Sequence, residues 1–182
     1  MIPVGYLAKR GVTVPKALVS FLPGVKDVFS VSSCVNDDFA DYIDYWKHNG
    51  YWLFDSPEII RELCREQSIG LEGTLLFFYE AFEQEFHDGS WRGFGPEPSM
   101  STQVVLPAQK QLEGFDVVTF WAGNAPECSP LSCNNLGDEL PINEHCLLQS
   151  IESAQRALED GAFEKGESGP YRIYAVNSVA WP

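Results

Sequence analysis

Residues 74–94 read TLLFFYEAFEQEFHDGSWRGF, and the class of fold turns on this stretch. Phe78, Phe82 and Phe86 recur at helical spacing, yet the run is rich enough in aromatic residues for a strand. The residues that follow resolve the ambiguity. His87-Asp88-Gly89-Ser90 carries the Asp-Gly pair of a two-residue hairpin turn, where both central residues need a positive φ, and Trp91 to Phe94 supplies a return strand. A hairpin implies antiparallel pairing. Alternation along its first arm places Glu83 and Glu85 on one face and Glu80 on the other, which predicts an exposed sheet face or edge rather than paired catalytic carboxylates in a cleft.

On the C-terminal side, Val104 to Leu106 reads as a short strand and residues 107–114 as a polar connector. Residues 115–122 alternate as a strand and stop at Gly123-Asn124. Ser150 caps a helix whose Ile151, Ala154 and Leu158 share a stripe, Gly161 ends it, and Tyr171 to Val179 alternates as a final strand. On the N-terminal side, Ser56-Pro57-Glu58 is a clear helix start, running to about Gln67 with Ile60, Leu63 and Cys64 facing inward. From Asn36 a second helical period places Phe39, Tyr42, Ile43 and Trp46 on a buried face, with Asp37, Asp41, Asp44 and His48 opposite. Val25 to Val35 reads as a strand, and residues 1–24 as one or two short strands with loops. No linker or internal repeat divides the chain. The expectation is one domain over residues 1–182, α+β, with a single, mostly antiparallel sheet and about three helices packed on one side.

Composition narrows function by exclusion. Twelve Lys and Arg against 26 Asp and Glu give a formal net charge of -14, a field that repels phosphate backbones and anionic lipid headgroups. Nucleic-acid and membrane partners are disfavoured, and a basic protein partner is favoured. No apolar run reaches the roughly 18 residues of a membrane-spanning helix. Cysteines 34, 64, 128, 133 and 146 leave at least one thiol unpaired, and Pro15 and Lys16 interrupt the apolar stretch after Lys9-Arg10. Both observations point to a reducing, cytoplasmic compartment. Neither GxGxxG nor GxxxxGK[ST] occurs, so no nucleotide cofactor is implied.

The densest chemistry lies in residues 123–146, GNAPECSPLSCNNLGDELPINEHC. Cys128 and Cys133, with His145 or Cys146, give three metal ligands but no fourth, so no metal site is expected. A thiol nucleophile at Cys133, with His145 as base and Asn134 or Glu144 orienting the imidazole, is the catalytic alternative. In the third reading, Pro126, Pro130 and Pro141 stiffen the loop and its thiols fill gaps against the sheet.

These patterns describe an acidic cytosolic domain that serves as a protein-interaction or neutralising module for a basic partner. A small Cys/His-dependent enzyme with its site in the 123–146 loop is the alternative. If a basic protein docks on the row of Asp37, Asp41 and Asp44, changing all three to Asn slows association more than it speeds dissociation, and raising salt does the same. Stopped-flow association at two ionic strengths checks this; an unchanged on-rate removes the row from the interface.

Overall fold

Five strands form one antiparallel sheet in the computed structural model, which describes residues 1–10, 22, 24–32, 47–121 and 125–182. They are β1 (Ile2–Arg10), β2 (Thr74–His87), β3 (Ser90–Gly93), β4 (Gln111–Thr119) and β5 (Tyr171–Val179). The order is β1-β2-β5-β4, with β3 pairing β2 beyond that path. Three α-helices occur among the described residues: α1 (Pro57–Glu66), α2 (Pro130–Cys133) and α3 (Ile151–Glu159). The fold is α+β, as the alternation and hairpin signals predict.

The hairpin closes as its sequence requires. Asp88 and Gly89 both have positive φ, 49° and 73°, and His87 pairs with Ser90. Helix α1 starts at Ser56-Pro57 and buries Ile60, Leu63 and Cys64 against Tyr6 and Ala8 of β1 and Leu76 and Phe78 of β2. Helix α3 is capped by Ser150, which exchanges hydrogen bonds with Ser153, and it buries Ala154 and Leu158 in the cluster that contains Val117 and Ile173. The opposite sheet face carries Phe77, Tyr79, Tyr174 and Val176. Connecting segments cover it through Phe29, Val31, Tyr51, Leu53 and Leu147.

Contrary to the expectation of no internal repeat, the sheet is built from two copies of one unit. β1 and β4 each have nine residues with glycine fourth, Gly5 and Gly114, and each breaks register there by a β-bulge against its inner neighbour. The pairs Phe78 with Asn177, Tyr79 with Val176 and Glu80 with Ala175 interchange under a two-fold rotation that swaps β2 and β5. The connections agree in detail. Tyr6 exchanges backbone hydrogen bonds with Phe54, and Phe115 does so with Leu148. Asn49 donates from its side chain to the Val4 carbonyl and accepts from the Tyr51 and Leu53 amides; Asn143 donates to Glu113 and accepts from His145 and Leu147. Trp52 and Cys146 take positive φ at matching positions, 63° and 60°. The shared sequence is Asn-x-x-x-Leu-x-x-Ser, at residues 49–56 and 143–150, with the Ser preceding a helix each time. A Cβ on Gly5 would lie 2.7 Å from the Phe54 carbonyl oxygen, and one on Gly114 2.7 Å from the Leu147 Cβ, so only glycine permits the corner to approach its strand.

Several sequence expectations change. Residues 25–32 form no ladder strand; the Lys26 and Phe29 amides bond instead to the Glu144 and His145 carbonyls. Residues 104–106 are likewise irregular, with the Val105 amide on the Asp55 carbonyl. β4 begins at Gln111 rather than at 115, and helix α2 occupies part of the expected loop. Glu85 is buried, not exposed. Alternation does place it with Glu83, on the face of Phe77, Tyr79 and Ala81, but there its carboxylate takes Arg172 Nε at 2.9 Å and Arg92 Nε at 2.8 Å. The helix expected from Asn36, with Trp46, lies outside the described residues.

The two carboxamides set a stability test. Asn49 is buried, so Asn49→Ala leaves the Val4 carbonyl and two amides without partners and lowers the unfolding free energy by roughly 2–4 kcal/mol in urea titrations. Asn143→Ala costs less, because Asn143 is only half-buried.

Candidate functional site

The end of β4 turns back on itself before the cysteine loop begins. Thr119 accepts from the Glu127 amide and donates its own amide to Cys128, after which Ser129 and Pro130 start α2. Cys133 ends that helix, half-buried, with its sulfur 4.0 Å from the Ser132 hydroxyl. Asn134 uses its side-chain oxygen to accept from the Glu167 amide at 3.2 Å, which ties the loop to the segment before β5. His145 belongs to the second corner, at the position that Tyr51 holds in the first. Its Nδ1 meets Asp27 at 2.5 Å, its Nε2 lies 3.8 Å from both Glu113 and Glu144, and its ring stacks on Phe29 with centroids 4.1 Å apart. Both imidazole nitrogens thus face carboxylates, and the ring braces residues 25–29. Burial first, then Asp116 and Cys133, push the neighbouring Cys146 thiol up to about 12, so it stays protonated at neutral pH. Asp37, Asp41 and Asp44 lie outside the described residues.

A buried polar cluster joins the two halves on the sheet face opposite α1 and α3. Asp116, fully buried on β4, accepts from the Ser30 and Ser129 hydroxyls, each at 2.6 Å. Lys9 Nζ, also buried, donates to the Ser32 carbonyl at 2.7 Å, and the Tyr79 hydroxyl donates to the Ser30 carbonyl at 3.2 Å. Burial drives the Asp116 carboxyl up to about 6, although the two hydroxyls, Lys9 and the Val31 amide oppose the shift. The cluster fastens residues 30–32 and the start of α2 to the sheet.

Elsewhere the surface opens into a cleft of about 690 Å³. Its walls are Tyr6 of β1, Pro57 and Glu58 at the start of α1, residues 105–111, and residues 178–182, which end β5 and follow it. Asp55 positions the covering segment, because its carboxylate accepts from the Gln103 amide and its carbonyl from the Val105 amide; Tyr6 then donates its hydroxyl to the Val105 carbonyl at 2.6 Å. With their backbone held this way, Val105 and Leu106 leave apolar side chains 54% and 66% exposed beside the cleft. Trp181 lies opposite, its indole donating to the Thr74 carbonyl while Arg61 stacks on its ring. Two ionic groups reach the cleft. Lys110 is paired with Glu80, whereas Glu58 is exposed and held below the usual carboxylate range by the Ser56 hydroxyl and its own backbone amide. Sequence reasoning missed this site because its walls come from four separated stretches; the apolar Val104-Val105-Leu106 run was the available signal.

Compared with known proteins, the chain matches no family model, no curated protein and no solved structure. Among the described residues no helix is long and apolar enough to cross a membrane.

Asp116 gives the fold a pH dependence with a definite sign. Its folded carboxyl keeps a proton up to about pH 6, and the unfolded chain loses it near 3.8, so folding takes up a proton between those values and stability falls as pH rises through that window. A separation of about two pH units corresponds to about 3 kcal/mol. Denaturation at pH 4 and pH 7 should therefore show a drop about that much smaller in Asp116→Asn than in wild type. Equal drops would mean that Asp116 is already ionised across the whole range.

Proposed function

We propose that the protein is a cytoplasmic binding module for a small, largely apolar molecule, held in the cleft between α1, the end of β5 and residues 105–111. The observation that carries this reading is the pair of exposed apolar side chains, Val105 and Leu106, fixed beside a cavity of about 690 Å³. That volume falls in the range of roughly 300–1,000 Å³ typical of ligand pockets. Pro57, Val179 and Trp181 supply further apolar wall, and Glu58 offers an ionised carboxylate to a hydrogen-bond donor or amine at one end of the ligand. The buried Cys146 thiol accords with a reducing compartment.

A second reading rests on the net charge of -14, which favours a basic protein partner. The thiol–imidazole enzyme stands behind both, because the ring nitrogens of His145 face Asp27, Glu113 and Glu144.

Titration with the neutral dye Nile red tests the cleft. A saturable fluorescence rise is expected, weakened roughly tenfold or more by Leu106→Asp, since a carboxylate there opposes apolar burial. Leu106 is exposed, so the substitution leaves the core intact. Dye binding that is indifferent to Leu106→Asp would locate the apolar surface elsewhere.

A further inference from the structure

A second cavity, of about 540 Å³, lies at the far end of the sheet between the β2–β3 hairpin tip and the end of α3. Two aromatic pairs wall it. On the hairpin side Phe86 and Trp91 meet with centroids 5.1 Å apart, and Trp91 also packs edge-on against Phe82 at 5.4 Å. Across from them Phe163 and Tyr171 meet at 5.8 Å, with the Tyr171 hydroxyl tied to the Phe163 and Glu167 carbonyls. The rings on each side are thus braced before any ligand arrives.

The polar lining is acidic. Asp88, Glu159 and Glu164 contribute carboxylates, and no Lys or Arg stands among the described lining residues. Glu159 accepts the Trp91 indole N–H at 2.8 Å, which fixes both groups at the cavity wall. Neighbouring cations are engaged elsewhere: Lys165 with Glu139, Arg92 and Arg172 with Glu85. Burial, then Glu164 and Glu167, raise the Tyr171 phenol above its ordinary range, as expected where the local potential is negative.

Aromatic faces and carboxylates around one cavity select a particular chemistry. A weakly hydrated organic cation gains from ring quadrupoles and from the negative potential together, while an anion is repelled and a neutral apolar ligand leaves the carboxylates partly desolvated. We infer that this cavity is a second binding site, distinct from the cleft beside α1, for a small alkylammonium ligand of the trimethylammonium type. His87 sits at the rim, paired with Asp88 at 3.5 Å.

The test uses the full chain labelled with 5-fluorotryptophan, its Trp91 resonance assigned through Trp91→Phe. Choline and its neutral isostere 3,3-dimethylbutan-1-ol are titrated in parallel by fluorine NMR. Choline should shift the Trp91 signal saturably and bind roughly tenfold tighter than the isostere, a ratio within reach of cation–π and carboxylate contacts. Glu159→Gln combined with Glu164→Gln should abolish most of that preference, while the carboxamide oxygen introduced by Glu159→Gln can still accept the indole N–H. Leu106→Asp, which disables the other cleft, should leave the choline titration unchanged. Equal binding of choline and isostere to the wild-type protein, or no shift with either, overturns the proposal without reference to any variant.

Discussion

Each half of this sheet depends on one side-chain carboxamide. A β-bulge at Gly5 or Gly114 puts an extra residue into the outer strand, Val4 or Glu113, and throws its carbonyl out of the regular ladder. A buried carbonyl needs a donor, and the turn that passes over it has amides that need an acceptor. Asn49 and Asn143 satisfy both demands at once, because a carboxamide carries a donor and an acceptor on one short, uncharged side chain. Aspartate lacks the donor. Alanine lacks both groups, and the close contact at the bulge excludes a Cβ on the glycine. Glycine on the outer strand and asparagine on the corner are therefore one requirement expressed at two positions.

That requirement reassigns the loop that looks most chemical. His145 and Cys146 stand two and three residues after Asn143, where Tyr51 and Trp52 stand after Asn49. Their density follows from a corner that must turn sharply, pair with its strand through Leu148, and release the chain into a helix at Ser150. The two halves diverge only in what surrounds the shared frame. Residues 104–111 cover the side near α1 and leave a cleft, whereas the hairpin tip and α3 enclose the aromatic cavity. The two cavities thus reside in the connections, while the frame stays constant.

Local signals are legible in the sequence wherever backbone chemistry is local. Asp88-Gly89, Ser56-Pro57 and Ser150 each specify a turn or cap through neighbouring atoms, and Tyr171–Val179 reads as a strand although it lies inside the sheet and is buried on both faces. The duplication is hidden because the connections in the two halves differ in length, so matching residues fall out of step along the chain. The β-branched run at 25–32 looks like a strand, but its amides find the corner carbonyls at 144 and 145 rather than a ladder. The start of β4 escapes notice because Gln111 and Leu112 lie exposed at the sheet's edge and show no inward pattern. The burial of Glu85 depends on Arg172, 87 residues away, and the cleft walls meet only in three dimensions.

Burial also changes how the net charge of -14 acts. Glu85 is neutralised inside the sheet by Arg172 and Arg92, and the Arg172 guanidinium lies between the Phe94 and Phe120 rings at 4.1 and 4.0 Å. Lys9 is drawn inside beside Asp116. Two of the carboxyls and three of the scarce cations are therefore committed to these clusters, and Lys26, Lys47, Lys110 and Lys165 each lie against a glutamate. With so many positive groups locally compensated, the field reaching solvent is set by carboxylates in excess. At long range such a field attracts cations and repels anions, and salt screens it within about 8 Å at physiological ionic strength.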